Sequence, residues 1–259
     1  MIPAMPPSDF MLDFDRVRRL GFPEVVLAAG KDTAQIVAIV RQLARENDVL
    51  VTRLTREAWD EVSREAMPGH ADYDERSHTL VVRVGKSNRP VPGDVAIVTA
   101  GTADIDVAEE ARRTLEYLGV GSRVIADVGV AGVVRLLGKL DEIERADVVI
   151  AVAGMEGALF SVIGGLVGKP IVCVPTSRGY GANFQGLASL LSALSSCANG
   201  VAAVNIDSGY GAAMAAYRIL SKGPKTWQKP RESGGSASRP RSTSTARRPA
   251  STGARRKRS

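Results

Sequence analysis

Histidine and cysteine are both scarce here: the 259 residues hold two of each. Two cysteines, Cys173 and Cys197, cannot form a disulfide framework or a cysteine-based metal cluster. The histidines, His70 and His78, lie in the first third of the chain with no nucleophile near them in sequence, and nothing resembles a hydrolase triad, a zinc site or a P-loop. Long apolar runs are also missing. The most apolar stretch, Val148 to Val174, is broken by Glu156, Lys169 and several glycines, which suits buried sheet and helix and excludes a bilayer span. The first residues carry Pro3, Pro6, Pro7 and Asp9 where a signal peptide would have a basic start and an apolar run. A cytoplasmic protein with no membrane partner is expected.

What is present is the composition of an ordinary globular chain, 44% hydrophobic and 24% charged. The net charge of +6 conceals an asymmetry. From Lys222 onward there are twelve Lys or Arg against one acid, Glu232, so the body before it carries −5 and the tail +11. Residues 223–259, rich in Ser, Thr, Pro, Gly and Arg, have almost nothing to bury and are expected to be disordered. They read as a solvated extension, with non-specific nucleic-acid contact through Arg255 to Arg258 as the alternative.

Two differently patterned regions precede the tail, joined by a turn-rich connector, Lys86 to Gly93. Residues 1–88 read as a small α+β domain: a strand at Glu24 to Ala29, a helix at Thr33 to Glu46 with Ile36, Ile39, Val40 and Leu43 on one face, a strand at Val49 to Arg53, a helix capped by Thr55 with Glu57 and Glu61 near its positive end, and a strand at His78 to Val84. Residues 89–222 alternate regularly. Five apolar runs, Val95 to Thr99, Arg123 to Ala126, Val148 to Val152, Ile171 to Val174 and Val201 to Ile206, read as buried parallel strands. Helical stretches separate them: Val107, Ala111, Leu115 and Leu118 share a face, as do Phe184, Leu187, Leu191 and Leu194, and Ala212, Ala213, Ala216 and Leu220. The expected fold is therefore α/β, a three-layer αβα sandwich with a parallel sheet and right-handed crossovers, preceded by the small α+β domain.

Such folds bind ligands beyond the carboxyl ends of their strands. Four loops fall there. Gly101, Thr102 and Asp104 open the first helix of the sandwich, where small residues admit a phosphate; Asp104 also fits an ordinary N-cap. Gly154-Met155-Glu156-Gly157 places a carboxylate between glycines at a helix start, suited to acid–base work, to a cation or to simple dipole stabilisation. Pro175 to Gly186 is longer than a plain connector and offers Ser177, Arg178, Gly179, Tyr180 and Gly181 to an anionic or nucleotide ligand. Asp207, Ser208 and Gly209 form the last strand-to-helix turn. Cys173 lies inside a strand and reads as core. Cys197 is balanced between two readings: it continues the stripe Leu187, Leu191, Leu194 into the core, or it presents a thiol from the helix-ending segment Ser195 to Gly200.

The strand–GTAD–helix opening, AGMEGALFSVIGG, VPTSRGYG and VNIDSGYGAAMAA resemble the PurE family, whose members rearrange or make carboxylated aminoimidazole ribonucleotide. LGFPEVVLAAGK, DYDERSHTL, VTAGTADIDVAEEA, GMEGALFSVIGG and SSCANG, in order from about Phe14 to Leu220, resemble the LarB family of nickel-pincer-nucleotide biosynthesis more closely. The basic tail is not expected to belong to the resemblance. PurE-like proteins carry an active-site histidine in the glycine-rich segment after the third strand; Gly154 to Gly165 has none and offers Glu156, so a PurE-like aminoimidazole ribonucleotide carboxylase or mutase is the alternative reading.

The LarB resemblance implies a PurE-like second domain and an enzyme acting on nicotinic acid adenine dinucleotide. Its pyridinium ring would be carboxylated at carbon five from bicarbonate or carbon dioxide, and its phosphoanhydride hydrolysed to give pyridinium-3,5-biscarboxylic acid mononucleotide and AMP. It further implies a covalent role for Cys197 and a catalytic role for Glu156, with Asp104 as a second candidate base. Mg2+ is expected at the anhydride step. PurE-like assemblies imply a homo-oligomer, up to an octamer. A fourth helix of about thirteen residues, roughly 20 Å long, would carry Cys197 to the edge opposite Glu156, and so imply active sites shared between subunits.

Overall fold

The computed structural model describes residues 10–86 and 90–221. The expected disordered tail lies outside the described residues. The first region contains α1 (Arg16–Leu20), β1 (Val26–Leu27), α2 (Thr33–Leu43), β2 (Val49–Thr52), α3 (Arg56–Val62), β3 (His70–Asp74) and β4 (Thr79–Arg83). Its four-stranded sheet runs β1-β2-β4-β3, parallel between β1 and β2 and antiparallel elsewhere. The helix expected from the Ile36, Ile39, Val40, Leu43 stripe forms, with those four residues buried and a capping box between Asp32 and Gln35 at its start. Thr55 caps α3 by accepting from the Ala58 N–H. The first strand is only two residues long, and β3 is an element the apolar pattern did not reveal.

The last strand of this sheet begins at Thr79, because His78 adopts φ +51° inside a turn. Asp74 holds that turn by accepting from the backbone N–H and hydroxyl of Ser77, whose Oγ also lies 2.7 Å from Thr79 Oγ1. Burial raises the Asp74 pKa, but the two bonds from Ser77 outweigh it and hold the carboxyl below its ordinary range.

The second region holds β5 (Val91–Thr99), α4 (Ile105–Tyr117), β6 (Val120–Ile125), α5 (Val133–Leu137), α6 (Leu140–Glu144), β7 (Val148–Ala153), α7 (Ala158–Leu166), β8 (Ile171–Pro175), α8 (Leu187–Leu194), β9 (Val201–Ala203) and α9 (Gly209–Leu220). Its five strands are all parallel, in the order β6-β5-β7-β8-β9. β5 begins inside the expected connector, with a register irregularity between Val91 and Asp94. β9, an edge strand, is shorter than expected; beyond it Val204 N–H donates to Cys173 O and Asp207 N–H to Pro175 O of β8.

Side chains alternate across this sheet into two cores. On one face Val95, Ile97, Ile150 and Val174 meet α4 and α9, and Phe22, Leu50 and Val81 of the first region join the same cluster. On the other face Ala96, Val98, Ala151 and Cys173 meet Leu136, Ile143, Phe160 and Ala193 from α5, α6, α7 and α8.

The fourth expected helix needs correction. It does not include Phe184, because Phe184, Gln185 and Gly186 are consecutively left-handed at φ +46°, +54° and +92°. α8 has eight residues, so it spans about 12 Å. Its buried residues are Ser189 and Ala193, while Leu187, Leu191 and Leu194 are exposed. The 3.6-residue period identified a common apolar face correctly, but period says nothing about what covers that face.

Candidate active site at the carboxyl edge

Each strand of a parallel sheet ends at the same edge, so the loops after β5, β7, β8 and β9 meet there. Asp104, in a 3-10 turn from Thr102, does not cap α4. It turns into the edge instead, where Oδ2 accepts from the Gly101 N–H at 3.0 Å and Oδ1 accepts from Thr176 Oγ1 at 2.7 Å. Burial raises its pKa, opposed by those two hydrogen bonds. A buried carboxyl whose pKa is raised is a group that can exchange a proton with a ligand.

The next two loops are joined. A Cβ on Gly154 would overlap the carbonyl oxygen of Arg178, so only glycine permits this approach. Met155 N–H donates to that carbonyl, and Asn183 Nδ2 donates to Met155 O at 2.7 Å. Met155 is left-handed at φ +49°, which turns Glu156 out to solvent between buried Gly154 and Gly157. Ser177 N–H donates to Asp207 Oδ1 at 2.7 Å, linking this joined pair to the loop after β9. Arg178 is ion-paired with Asp106, Gly179 to Gly181 and Tyr180 are exposed, and Ser208 caps α9 by accepting from the Gly211 N–H. Gly209 is buried tightly against the Val107 carbonyl of α4, a packing position.

The cysteines separate. Cys173 is fully buried in β8 and desolvation pushes its thiol up to about 12. Cys197 is exposed, just beyond α8. The neighbouring Ser196 Oγ lies 2.8 Å from Ser161 Oγ, in the first turn of α7. The reading of Cys197 as core is therefore overturned, since the stripe it extends is itself exposed. The thirteen residues expected for this helix are corrected to eight, and Cys197 lies between the end of α8 and the start of β9.

Sequence reasoning named Arg178 and Asp207 but missed what stands opposite them. Arg53, Arg76, Ser77 and His78 of the first region face Asp106, Val107, Glu110, Arg178 and Asp207 across a cleft of about 110 Å³. Arg53 donates to the Asp207 carbonyl and lies 3.5 Å from Glu110 Oε1, while Glu110 Oε2 accepts from the Tyr210 N–H at 3.1 Å. Burial raises the Glu110 pKa, with Arg53 pulling it down. A histidine thus reaches this edge, though from the first region and not from the segment after the third strand. Arg53, His78 and Asp207 are all left-handed non-glycine residues, at φ +58°, +51° and +55°; such backbone costs about 1–3 kcal/mol each and concentrates at functional sites. The signal for this cleft was DYDERSHTL, which entered the sequence reading only as part of the LarB resemblance, with no site residue assigned in it. Among the described residues no three His, Cys, Asp or Glu side chains converge to hold a metal ion.

Residues 9–85 match the LarB/PurE-like N-terminal domain, and residues 94–234 match AIR carboxylase, a match that continues past Leu220 into the basic tail. An uncharacterized protein of Methanocaldococcus jannaschii is 40% identical over 214 residues, covering 80% of this chain and 82% of its own. The N5-carboxyaminoimidazole ribonucleotide mutase of the same organism is 34% identical over 131 residues, covering 49% of this chain and 78% of its own. Among solved structures, Treponema denticola PurE is 25% identical over 51% of this chain and 80% of its own, with a TM-score of 0.39. A variant of PurE2 from that organism is 25% identical over 49% and 78%, with a TM-score of 0.41. The small mixed sheet and the five-stranded parallel sheet flanked by helices fall on these two matched domains in that order, and the chain belongs to the LarB family.

Proposed function

We propose that this protein carboxylates the pyridinium ring of nicotinic acid adenine dinucleotide at carbon five and hydrolyses its phosphoanhydride, giving pyridinium-3,5-biscarboxylic acid mononucleotide and AMP. The observation that carries the reading is the division of the two thiols: Cys197 is exposed on the face of α7 and α8, while Cys173 is sealed in the sheet. An electron-poor pyridinium cannot attack carbon dioxide. Addition of the Cys197 thiolate at carbon four gives a neutral dihydropyridine whose enamine carbon five is nucleophilic. That carbon attacks carbon dioxide, forming the new carbon–carbon bond. A carboxylate then takes the proton from carbon five, and the electron pair left behind expels the thiolate and restores the aromatic ring. The step consumes carbon dioxide and releases one proton, with no net oxidation. Glu156 suits the base because its exposed carboxylate engages no protein group among the described residues; Asp104, already raised by burial, is the second candidate.

The described residues do not offer a dedicated Mg2+ cage. Magnesium would therefore enter on the substrate phosphates, held by one or two carboxylates and water. The exposed apolar residues of α8 support a homo-oligomer in which a second copy covers the face next to Cys197. Active sites shared between subunits, up to the octamer of PurE-like assemblies, follow from that arrangement. In an assay with the dinucleotide, bicarbonate and magnesium, Cys197→Ala should lower carboxylated product, measured by mass spectrometry, by at least about 1,000-fold. Substantial product from that variant would overturn the covalent mechanism.

A further inference from the structure

Three arginines, Arg53, Arg76 and Arg178, and three carboxylates, Asp106, Glu110 and Asp207, line the cleft between the two regions, and one of the arginines is unpaired among the described residues. Of its acids, Asp106 is paired with Arg178, Glu110 with Arg53, and Asp207 Oδ1 with the Ser177 N–H. Arg76 has no polar partner among the described residues and is exposed beside His78. Both are displayed by the one turn that Asp74 and Ser77 fix, so the hairpin carries them without needing to order on binding. Arg53 is fixed in turn by its bond to the Asp207 carbonyl. At about 110 Å³ the cleft is well below the roughly 300–1,000 Å³ of sites that enclose a whole small molecule, so it accepts one compact group of a longer ligand. Guanidinium groups in such a place match phosphate oxygens in charge and in bidentate geometry.

We propose that Arg76 and His78, with Arg53 behind them, hold a phosphate group of the ligand, and that the first region thereby supplies the grip on the phosphoanhydride half of a dinucleotide. The identity of that dinucleotide rests on the function proposed above; the anion site does not. The two regions would then divide the work. The loops at the sheet edge receive the reacting ring, and the hairpin selects ligands that carry a second phosphate.

The test compares wild type with Arg76→Ala and His78→Gln by calorimetric titration, using inorganic pyrophosphate, AMP, nicotinic acid mononucleotide and nicotinic acid adenine dinucleotide as probes at two salt concentrations. Wild type should bind pyrophosphate with affinity that falls as salt rises. Arg76→Ala should weaken pyrophosphate and the dinucleotide by at least about tenfold while changing the mononucleotide by less than about twofold, since a charge-assisted hydrogen bond to phosphate is lost. His78→Gln should weaken the same two ligands by a smaller factor. If wild type binds no pyrophosphate, or if Arg76→Ala weakens mononucleotide and dinucleotide equally, the inference is overturned. If pyrophosphate binding behaves as stated but the dinucleotide is neither bound nor carboxylated, the cleft stands and the substrate proposed above does not. Circular dichroism of each variant separates loss of the grip from loss of the fold, and Arg76→Lys should retain part of the pyrophosphate binding that Arg76→Ala loses.

Discussion

The two helical layers that flank the parallel sheet are built alike and finished differently. α4 and α9 are covered: Ala111, Leu115, Ala213 and Ala216 are fully buried, and the first region packs Phe22, Leu50 and Val81 into the same cluster. α5 and α8 bury only their sheet-facing residues and leave Val134, Leu137, Leu191 and Leu194 exposed at 77%, 49%, 55% and 68%. Large apolar side chains left exposed on two helices of one layer are what the second copy proposed above would cover. The covered layer serves the fold, and the bare one is the layer on which the proposed assembly would act.

That distinction is most sharply tested by placing one charge on each layer. Ala213→Asp buries a carboxylate with no partner and should cost at least about 4 kcal/mol, a large share of the roughly 5–15 kcal/mol of a typical domain. It should be seen as insoluble protein or a collapsed urea midpoint. Leu191→Asp should leave the urea midpoint of the dissociated chain within about 0.5 kcal/mol. Its sedimentation behaviour should shift to the monomer, with a dissociation constant raised at least about 100-fold, or about 2.7 kcal/mol. If Leu191→Asp denatures the chain as Ala213→Asp does, the two layers are not different in kind.

A smaller effect is expected at the edge where both layers end. Asp104 has its pKa raised by burial, so the folded state gains most from it when it is protonated, below its unfolded value near 3.8. That contribution is lost as pH rises through the folded value. Asp104→Asn removes the ionisation, so its stability relative to wild type should rise as pH goes from 4 toward 7, with the sign opposite to that of a salt-bridged carboxylate. Urea midpoints across that range give the slope; a difference independent of pH would show that Asp104 titrates as it does in the unfolded chain. The smallest change is expected inside the α5–α8 core: Cys173→Ala should cost only about 1–2 kcal/mol and leave chemistry intact, read from the urea midpoint and the product assay together.

Much of this architecture was legible because backbone periods translate directly into elements. The alternation of apolar runs and amphipathic stretches located the five parallel strands, and that alone directed attention to Asp104, Glu156, Arg178 and Asp207 at one edge. The face of α8 was identified and then assigned to the wrong surroundings, because a stripe of Leu187, Leu191 and Leu194 looks the same whether sheet or a second subunit lies over it. Three left-handed residues in a row at Phe184 to Gly186 shortened the helix, and only the glycine among them advertises that conformation. The cleft residues were hidden by distance along the chain. Arg53 and Asp207 are 154 positions apart, and His78 was set aside for lacking a nucleophile nearby in sequence, a criterion that a folded chain does not respect.

The ties between the first region and the covered layer bear on how the chain acquires its structure. Tyr117 donates its hydroxyl to Asp48 O at 2.7 Å, Arg113 donates to Asp72, and Tyr217 donates to Gly21 O at 2.8 Å across 196 positions. A ribosome delivers the small sheet long before α4, and α4 long before α9. Until then Leu50, Val81 and Phe22 have nothing to close against, so the early sheet waits with its inner face open. Contacts this remote in sequence make folding slow and late, and a nascent chain stalled before Tyr217 should be the form of this protein that chaperones hold and proteases cut.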